Sequence, residues 1–442
     1  MFQEESVAMT AKNSIEAAIR PAVEAGDLAG AAALVWRNGA VLQSAAVGRR
    51  DLASGLPVER DTIFRIASLT KPITTVAALM LLDEGRFELD QPITQWAPEL
   101  ARLGVLRDPE GPLDQTDEAT RPITFRDLLT HRAGLTYGDF HRGPIARADA
   151  ETLGAQIDNP LTPDEWVARL ATLPLIDHPG AGFHYGHSTD LLGFLIARLD
   201  DAPLGAVLQR RVLAPLGMRD TVFTVPPQKR HRCAGLCGFD GEGRLTALTV
   251  APGGHALAQR PEGTTFESGS GGLWSTLDDY LAFARMLIGE AGDGPELLRA
   301  ETRAMMISNQ LTPEQRATTR MFGRSIFAAG HGYGMGVSVV MDPEKADPLQ
   351  CRGGVGTIGW PGAYGGWWQA DPNDGSVLIF LAHNMVELHQ MARGIGLGVW
   401  SVIATFHEIA GACVASLAAV SSGHASPAII NEPRAHGVAP TR

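Results

Sequence analysis

The chain has 442 residues, of which 45% are hydrophobic and 19% are charged, and its formal net charge is -12. This is the balance of a globular protein with a sizeable core, and it excludes a mainly disordered chain. The negative charge argues against nucleic acid and anionic membrane surfaces as partners, because both would repel it.

The first fifty residues predict a helix followed by a β-hairpin. Residues 1–20 contain early acidic side chains and no apolar run, so they predict no secretory signal, and we expect a cytoplasmic protein. Apolar residues recur at helical spacing over 14–25. The segment 30–51 then predicts two strands joined by a turn at Asn38-Gly39, a dipeptide typical of tight hairpins.

A second helix is predicted where an apolar stretch follows a serine. Residues 63–83 are apolar on at least one face, and Gly85 suits the left-handed position after a helix end. Pro72 lies in this stretch, and proline is tolerated only in the first turn of a helix, where its missing N–H is not needed. We therefore expect the helix to begin at about Ser68.

The middle of the chain differs in composition from both ends. Residues 101–259 are rich in Pro, Gly, Asp and Arg and predict short helices with few strands. An amphipathic helix is predicted over 277–289. Strands are predicted at three later segments, namely 333–342, 362–372 and 376–384. We therefore expect a discontinuous α/β sheet domain formed by 10–100 and 260–415, beside a mostly helical region at 101–259.

The C-terminal end predicts a helix and a tail. The most apolar long stretch, about 395–420, contains His407 and Glu408 near its middle and is interrupted by glycines. A helix packed on the sheet is therefore predicted, rather than a membrane span. Residues 421–442 are polar, contain proline and have no periodicity, which predicts a disordered tail.

Ser68 and Lys71 are the first candidates for chemistry. Residues three apart in a helix lie on one face, so the hydroxyl can meet the amine. A helix start also presents free backbone N–H groups and a positive dipole end, which favour the negative charge formed in acyl transfer. A lysine among apolar neighbours can be desolvated enough to activate the serine or polarise a partner. The alternative is a serine that caps the helix, followed by a solvated lysine.

Six ordered blocks decide against that alternative. They are FRIASLTKPITTVAALMLLDEGRFELDQPI, ITFRDLLTHRAGLTYG, HPGAGFHYGHSTDLLGFLIARL, LAPLGMRDT, SGSGGLWSTLDDYLAFARMLIG and GWPGAYGGWWQADP. In this order and spacing, over about 14–410, they resemble the class C-like branch of the serine β-lactamase and penicillin-binding-protein superfamily, and are most similar to family VIII carboxylesterases. The resemblance implies a β-lactamase/transpeptidase-like α/β (α+β) fold, with an antiparallel sheet flanked by helices, a helical region beside it, and the active site between them.

The resemblance also implies a third catalytic residue, Tyr185 in HYGHS. Phenols and ammonium groups ordinarily titrate in the same range, at about pH 10. A protonated Lys71 beside the phenol can therefore stabilise a phenolate, which would deprotonate Ser68. Either the lysine or the tyrosine can be the primary base, and the two can titrate as a unit. The alternative is a buried tyrosine with a structural hydrogen bond.

Trp360-Pro361-Gly362 departs from the family pattern. The β-lactamases and peptidases of the family carry Lys-Thr-Gly on a strand here, and losing that ammonium and hydroxyl removes much of the reason to bind an anionic substrate. The esterase branch commonly carries Trp-Gly-Gly-like sequences at this position. The small residues let the strand backbone approach the substrate, so the N–H groups of Ser68 and Ala363 are predicted to form the oxyanion hole.

Four residues are candidates for substrate binding, and two of them, Trp360 and Gly362, belong to this strand. His187 stands where many relatives have asparagine and could contact substrate, although a histidine hydrogen-bonded behind the site is the alternative. Tyr137 in GLTYG is implied to line the acyl pocket, with an ordinary loop tyrosine as the alternative. Neither metal nor cofactor is expected, because His184 and His187 lack a third ligand and no glycine-rich phosphate cradle is present.

Together these observations predict a serine carboxylesterase that cleaves small, largely apolar esters through an acyl-enzyme on Ser68. Its partner would be a small-molecule ester, with no nucleic acid or membrane. Ser270 in SGSGG is interpreted as part of a glycine-rich turn without a lysine partner. Two alternatives stay open: a weak β-lactamase, amidase or acyltransferase on the same site, and a non-catalytic binding or scaffold protein with this fold.

Overall fold

The two ends of the chain form one antiparallel sheet. The computed structural model describes residues 14–321, 324–327, 330–347, 350–386, 390–391 and 393–421. The strands are β1 (Gly30–Arg37), β2 (Ala40–Gly48), β3 (Phe64–Arg65), β4 (Gly104–Leu106), β5 (Thr116–Glu118), β6 (Cys237–Phe239), β7 (Leu245–Ala247), β8 (Trp274–Ser275), β9 (Arg320–Met321), β10 (Arg324–Ser325), β11 (His331–Tyr333), β12 (Ser338–Val340), β13 (Ile358–Pro361), β14 (Trp367–Asp371) and β15 (Ser376–Ala382). Within these described residues, the main sheet has seven strands in the order β11-β12-β13-β14-β15-β1-β2.

Helices lie on both faces of this sheet. Several of them come from the part of the chain between its N-terminal and C-terminal strands. The helices are α1 (Ile15–Ala25), α2 (Thr70–Asp83), α3 (Phe125–Leu129), α4 (Pro144–Leu153), α5 (Pro163–Leu170), α6 (Ser188–Asp200), α7 (Leu204–Leu208), α8 (Leu277–Leu287), α9 (Ala300–Met306), α10 (Pro313–Thr318) and α11 (Gly398–Ser421). A short π-helix, Gln209–Leu213, continues α7. No helix of the described residues is long and apolar enough to cross a membrane.

Strand β1 lies between β15 and the edge strand β2, and it is buried on both faces. It pairs with β15 from Ala31 opposite Ala382 to Arg37 opposite Ser376, which joins the N-terminal and C-terminal segments. Alternate residues of a strand point to opposite faces. Ala33 accordingly packs with α1 and α11, while Leu34 packs into the larger core on the other face. The predicted sheet built from distant segments is confirmed.

The larger core continues from the sheet into the helical region. Helix α2 packs against α6 and α7, and its buried side chains belong to the same cluster as those of β1 and β14. Residues 101–259 contain α3–α7 together with two short hairpins, β4–β5 and β6–β7. The division into 10–100 with 260–415 and 101–259 stays a prediction, and residues 422–442 lie outside the described part of the chain.

Two predicted elements differ in the structure. Ser68 lies in a 3-10 turn, Ala67–Leu69, and α2 begins only at Thr70, so Pro72 is still in its first turn. The strand predicted over 333–342 is two short strands, β11 and β12. The chain reverses between them, because Gly336 has a φ of 79° and the N–H of Gly334 donates to the carbonyl of Val337.

Candidate active site

Ser68 lies in a tight turn between β3 and α2. Ala67, just before it, has a φ of 45°, which is in the left-handed region. That conformation costs a residue with a Cβ about 1–2 kcal/mol. The hydroxyl of Tyr280 anchors the turn by donating to the carbonyl of Leu69 over 3.1 Å. The surrounding structure therefore holds the turn in place, and the turn presents Ser68 to a cavity.

Lys71 and Tyr185 converge on the oxygen of Ser68. The Tyr185 hydroxyl donates to Oγ over 2.8 Å, and Nζ of Lys71 donates to the same atom over 3.3 Å. Nζ also lies over the Tyr185 ring, 4.5 Å from its centroid. A Cβ on Gly186 would be 2.3 Å from Cα of Thr136, so glycine lets the segment carrying the tyrosine pass close to its neighbour. The structure thus brings the three predicted side chains together.

Ser270 and Asp190 extend this arrangement. The carbonyl of Ser270 accepts from Nζ of Lys71 over 3.0 Å, and its Oγ donates to Asp190 over 2.7 Å. Ser270 lies in a glycine-rich turn, as interpreted from the sequence, and what the sequence did not indicate is that its backbone carbonyl binds the ammonium of Lys71. A sequence signal for this contact is the aspartate at the start of a largely apolar helix, α6, because a buried carboxylate needs polar partners.

His187 lies behind the site, which corrects its prediction as a substrate-binding residue. Its Nε2 is 3.0 Å from Asp149 Oδ1, and its Nδ1 is 3.7 Å from Asp190 Oδ2. Its buried ring packs edge-on against Tyr137, with 4.7 Å between the centroids. Burial alone would lower the pKa of His187, but the charges and hydrogen bonds of the two carboxylates raise it to about 9. Both ring nitrogens therefore face carboxylates rather than the cavity.

Two further rings enclose the ammonium of Lys71. Tyr137 lines the cavity, and its hydroxyl donates to Oγ of Ser270 over 2.9 Å. Burial and nearby negative charge raise the pKa of Tyr137 well above its ordinary value. His131 packs against Tyr185 with 4.9 Å between the centroids, and burial together with the charge of Lys71 lowers the pKa of His131 well below its ordinary value. Both rings therefore stay neutral near neutral pH.

The end of β13 approaches the turn that carries Ser68. Trp360 is buried there, and its Nε1 donates to the oxygen of Tyr185 over 3.1 Å. A Cβ on Gly362 would lie 2.9 Å from the carbonyl oxygen of Ile66. A backbone atom cannot yield as a flexible side chain can, so the close approach requires glycine. Trp360 and Gly362 both line the cavity, and their role in substrate binding stays a prediction.

The predicted oxyanion groups border the same space. Ala363 and Ser68 both line the cavity. In the turn after β13, the N–H of Gly362 donates to the carbonyl of Gly366 over 2.7 Å, and that bond does not use the N–H of Ala363. This arrangement is compatible with an oxyanion between the two amides, whose role stays a prediction.

A cavity of about 280 Å³ opens at Ser68. Its walls are mainly apolar and come from distant parts of the chain, namely Phe140, Ile157, Met321, Met385, Met391 and Trp400. Among the lining residues that the structure describes, Lys71 is the only lysine or arginine. Asp139 and His255 also line it, with Nε2 of His255 2.9 Å from Oδ2 of Asp139, and the hydrogen bond from His255 lowers the pKa of Asp139. These walls suit an uncharged, apolar group.

Histidines and cysteines do not assemble a metal centre in the described part of the chain, where no group of three or more His, Cys, Asp or Glu side chains could hold an ion. His184, half of the spaced histidine pair, lies 2.8 Å from Asp177 rather than near His187. The cysteines are free thiols, namely Cys233, Cys237, Cys351 and Cys413.

Comparison with known proteins shows the family of the chain that carries this site. The Beta-lactamase family model matches residues 15–396. "Uncharacterized protein MT1414" of Mycobacterium tuberculosis (strain CDC 1551 / Oshkosh) is 44% identical over 376 residues, covering 84% of this chain and 90% of the relative. "Esterase EstB" of Burkholderia gladioli is 31% identical over 385 residues, covering 84% of this chain and 90% of the relative.

A solved structure shows the same fold. "EstCE1, a hydrolase with promiscuous acyltransferase activity" aligns with a TM-score of 0.72 at 23% identity, covering 92% of this chain and 100% of that one. The predicted β-lactamase/transpeptidase-like fold is therefore confirmed. The chain belongs to the β-lactamase family, in the family VIII esterase branch of the serine β-lactamase superfamily.

Proposed function

We propose that this protein is a serine carboxylesterase that cleaves small, largely apolar carboxylic esters through an acyl-enzyme on Ser68. The observation that carries the proposal is the convergence of Tyr185 and Lys71 on the Ser68 oxygen inside an apolar cavity. A nucleophile and a base within hydrogen-bond distance are what covalent acyl transfer requires. The likeness to an esterase of Burkholderia gladioli supports the same type of reaction.

In the acylation half of the reaction, Oγ of Ser68 forms a bond to the ester carbonyl carbon. In the reactive form Tyr185 has released its own proton to solvent, and its phenolate oxygen, attracted by the ammonium of Lys71, accepts the proton of Ser68 instead of donating to it. The N–H groups of Ser68 and Ala363 receive the charge on the carbonyl oxygen. The bond from the carbonyl carbon to the alkoxide then breaks, and the alkoxide takes the proton from Tyr185. The acyl group remains on Ser68.

The deacylation half reverses the proton path. A water molecule gives a proton to Tyr185 while its oxygen bonds to the acyl carbon. The bond from that carbon to Oγ of Ser68 breaks, and Oγ regains the proton. The carboxylic acid leaves, and the enzyme returns to its starting state without a metal or an organic cofactor.

Trp360 supports a neutral ester as the substrate. Its indole nitrogen donates to the oxygen of Tyr185, and by the family resemblance Trp360 stands in the sequence where the β-lactamases carry a lysine. A substrate carboxylate would therefore lack a cationic partner on this strand and would also face the carboxylate of Asp139 in the lining.

Hydrolysis of p-nitrophenyl acetate and butyrate tests the proposal. We expect turnover by the wild type, loss of turnover in Ser68→Ala, and wild-type turnover in Ser54→Ala, a control that removes an exposed hydroxyl. Equal rates for the wild type and Ser68→Ala would end the assignment. Faster turnover of nitrocefin than of esters would favour a β-lactamase, and ester products formed with added alcohol would favour an acyltransferase. Failure of a fluorophosphonate probe to label Ser68 would favour a non-catalytic protein.

A further inference from the structure

A buried set of polar side chains lies behind Lys71 and has no part in the proton transfers above. Asp190, on the first turn of α6, is 1% exposed. Its two carboxylate oxygens accept hydrogen bonds from the hydroxyls of Ser268 and Ser270, each over 2.7 Å, and from the N–H of Ser270 over 3.2 Å. A buried carboxylate without such partners would be strongly destabilising. The buried position of Asp190 therefore depends on the hydrogen bonds from the loop 268–271, and the loop depends on Asp190 as their acceptor.

The loop 268–271 is a turn outside the helices and strands, and side chains attach it to both neighbouring helices. The hydroxyl of Thr74 in α2 donates to the carbonyl of Gly269 over 2.7 Å. A Cβ on Gly269 would be 2.8 Å from the carbonyl oxygen of Thr189 in α6, which shows how closely the loop packs between the two helices. The loop is thus anchored at three successive residues, and the carbonyl of Ser270 points at Nζ of Lys71.

The charged side chains behind Lys71 are connected to it through the same loop. The two oxygens that accept from the ammonium of Lys71 belong to a hydroxyl and a peptide group, and neither is charged. Behind them, the protonated His187 lies between Asp149 and Asp190. Burial alone would raise the pKa of Asp190, but the hydrogen bond and charge of His187 lower it, so Asp190 is ionised and places a negative charge behind Lys71. An uncompensated buried ammonium would be costly, and this negative charge offsets part of that cost.

We propose that Asp190 is a positioning residue for Lys71: through the loop 268–271 it orients the carbonyl that holds the ammonium beside Ser68, and it supplies the negative charge that the buried ammonium requires. Asp190 is not among the described residues that line the cavity, and its hydrogen bonds go to Ser268 and Ser270 rather than to Ser68, so it acts through its neighbours. This inference rests on the proposed function, because it concerns the efficiency of the same nucleophile.

Asp190→Asn removes the charge and leaves one carbonyl oxygen for the two serine hydroxyls. We expect kcat/KM per active site to fall about tenfold to hundredfold, the effect of losing a charge-assisted hydrogen bond. We also expect the pH profile of kcat/KM to move to lower pH, because removing a buried negative charge favours the deprotonated form of the groups that face it. The groups facing Nζ are Tyr137, Tyr185 and His131.

Active sites are counted by titration with a fluorophosphonate, so a loss of folded protein does not count as a loss of activity. Ser268→Ala is the matched control, because it removes one anchor of the loop and keeps the charge of Asp190. We expect it to lower kcat/KM without moving the pH profile. A merely structural role for the aspartate would lower the fraction of active sites in both variants and leave the profile of the remaining sites at its wild-type position.

Two results would overturn the inference. One is a titrated Asp190→Asn enzyme with wild-type kcat/KM and an unmoved pH profile. The second result applies if Asp190→Asn does not fold. It is a wild-type kcat in both Ser268→Ala and Ser270→Ala, because neither hydroxyl would then matter for Lys71. The rate constant of fluorophosphonate labelling at Ser68 distinguishes a failure of the role assigned to Asp190 from a failure of the proposed ester hydrolysis. It is expected to fall in Asp190→Asn even if esters prove not to be the substrates.

Discussion

Trp360→Phe should weaken the base that activates Ser68 while the fold is retained. The indole Nε1 of Trp360 donates to the oxygen of Tyr185 over 3.1 Å between buried side chains. A hydrogen bond between neutral groups contributes about 1 kcal/mol, and one to a charged acceptor about 1.5–3 kcal/mol. The difference between these contributions is about 0.5–2 kcal/mol, so the variant destabilises the phenolate relative to the phenol by that amount, or by roughly one pH unit. We expect the acid limb of kcat/KM to move to higher pH by that amount, with about a tenfold loss at pH 7.

The assay is p-nitrophenyl butyrate hydrolysis between pH 5 and pH 10, and Trp368→Phe is the matched control. Trp368 is fully buried directly opposite Trp360 on β14, and its Nε1 has no hydrogen-bond partner among the described residues. Both substitutions remove the same atoms, so their difference isolates the hydrogen bond to Tyr185. If the two variants share one acid limb, the argument that Trp360 stabilises a phenolate is refuted.

Three other changes test the packing and the buried charges. Gly362→Ala should lower kcat, because its Cβ would lie 2.9 Å from the carbonyl oxygen of Ile66 and push the strand end away; a displacement of about 1 Å can cost about a hundredfold, measured at saturating p-nitrophenyl butyrate. The pKa of His187 is raised to about 9 from 6.5, so its stabilising contribution is fully present below about pH 6.5 and is lost as pH rises through 9. Urea unfolding should show this loss, of up to about 3 kcal/mol. Arg65 and Asp158 form an ion pair at 2.6 Å with side chains 1% and 0% exposed, and Asp158→Asn should lower the unfolding free energy by about 3–5 kcal/mol, measured by urea denaturation.

Each of these changes has a control and an outcome that contradicts it. Wild-type kcat in Gly362→Ala would show that the strand end can retreat without consequence. His187→Gln should flatten the pH dependence of stability, and an unchanged slope would assign that dependence to other groups. For the ion pair, the double variant Arg65→Met/Asp158→Leu should be more stable than Asp158→Asn. Equal stabilities would mean that the unpaired guanidinium is not the cause.

The elements with strong local signals could be predicted from the sequence. The Asn38-Gly39 turn joins β1 and β2, and α8 covers 277–287, because each depends on residues close together in the chain. The pair Ser68 and Lys71 was accessible for the same reason, since one turn brings them together. Tyr185 lies 117 positions from Ser68, and only the family resemblance placed it at the site.

The residues behind the site could not be predicted, because long-range packing brings them there. Asp190 and Ser270 are 80 positions apart and meet only because α6 and the loop 268–271 pack together. The sequence could place His187 next to Tyr185, but only packing decides which way a side chain at a helix start points. The far wall of the cavity, including Trp400 from α11, likewise depends on where a C-terminal helix docks.

Met321, Met385 and Met391 contribute three thioethers to the wall of the cavity. Unbranched, polarisable side chains of this kind adjust to ligands of different outline at little cost, but oxidants convert them to polar sulfoxides. Exposure to peroxide would therefore place dipoles in a space built for hydrocarbon and impair substrate uptake before the nucleophile itself is damaged. Norleucine, which has a methylene in place of the sulfur, would keep the shape of the wall and remove this chemical weakness.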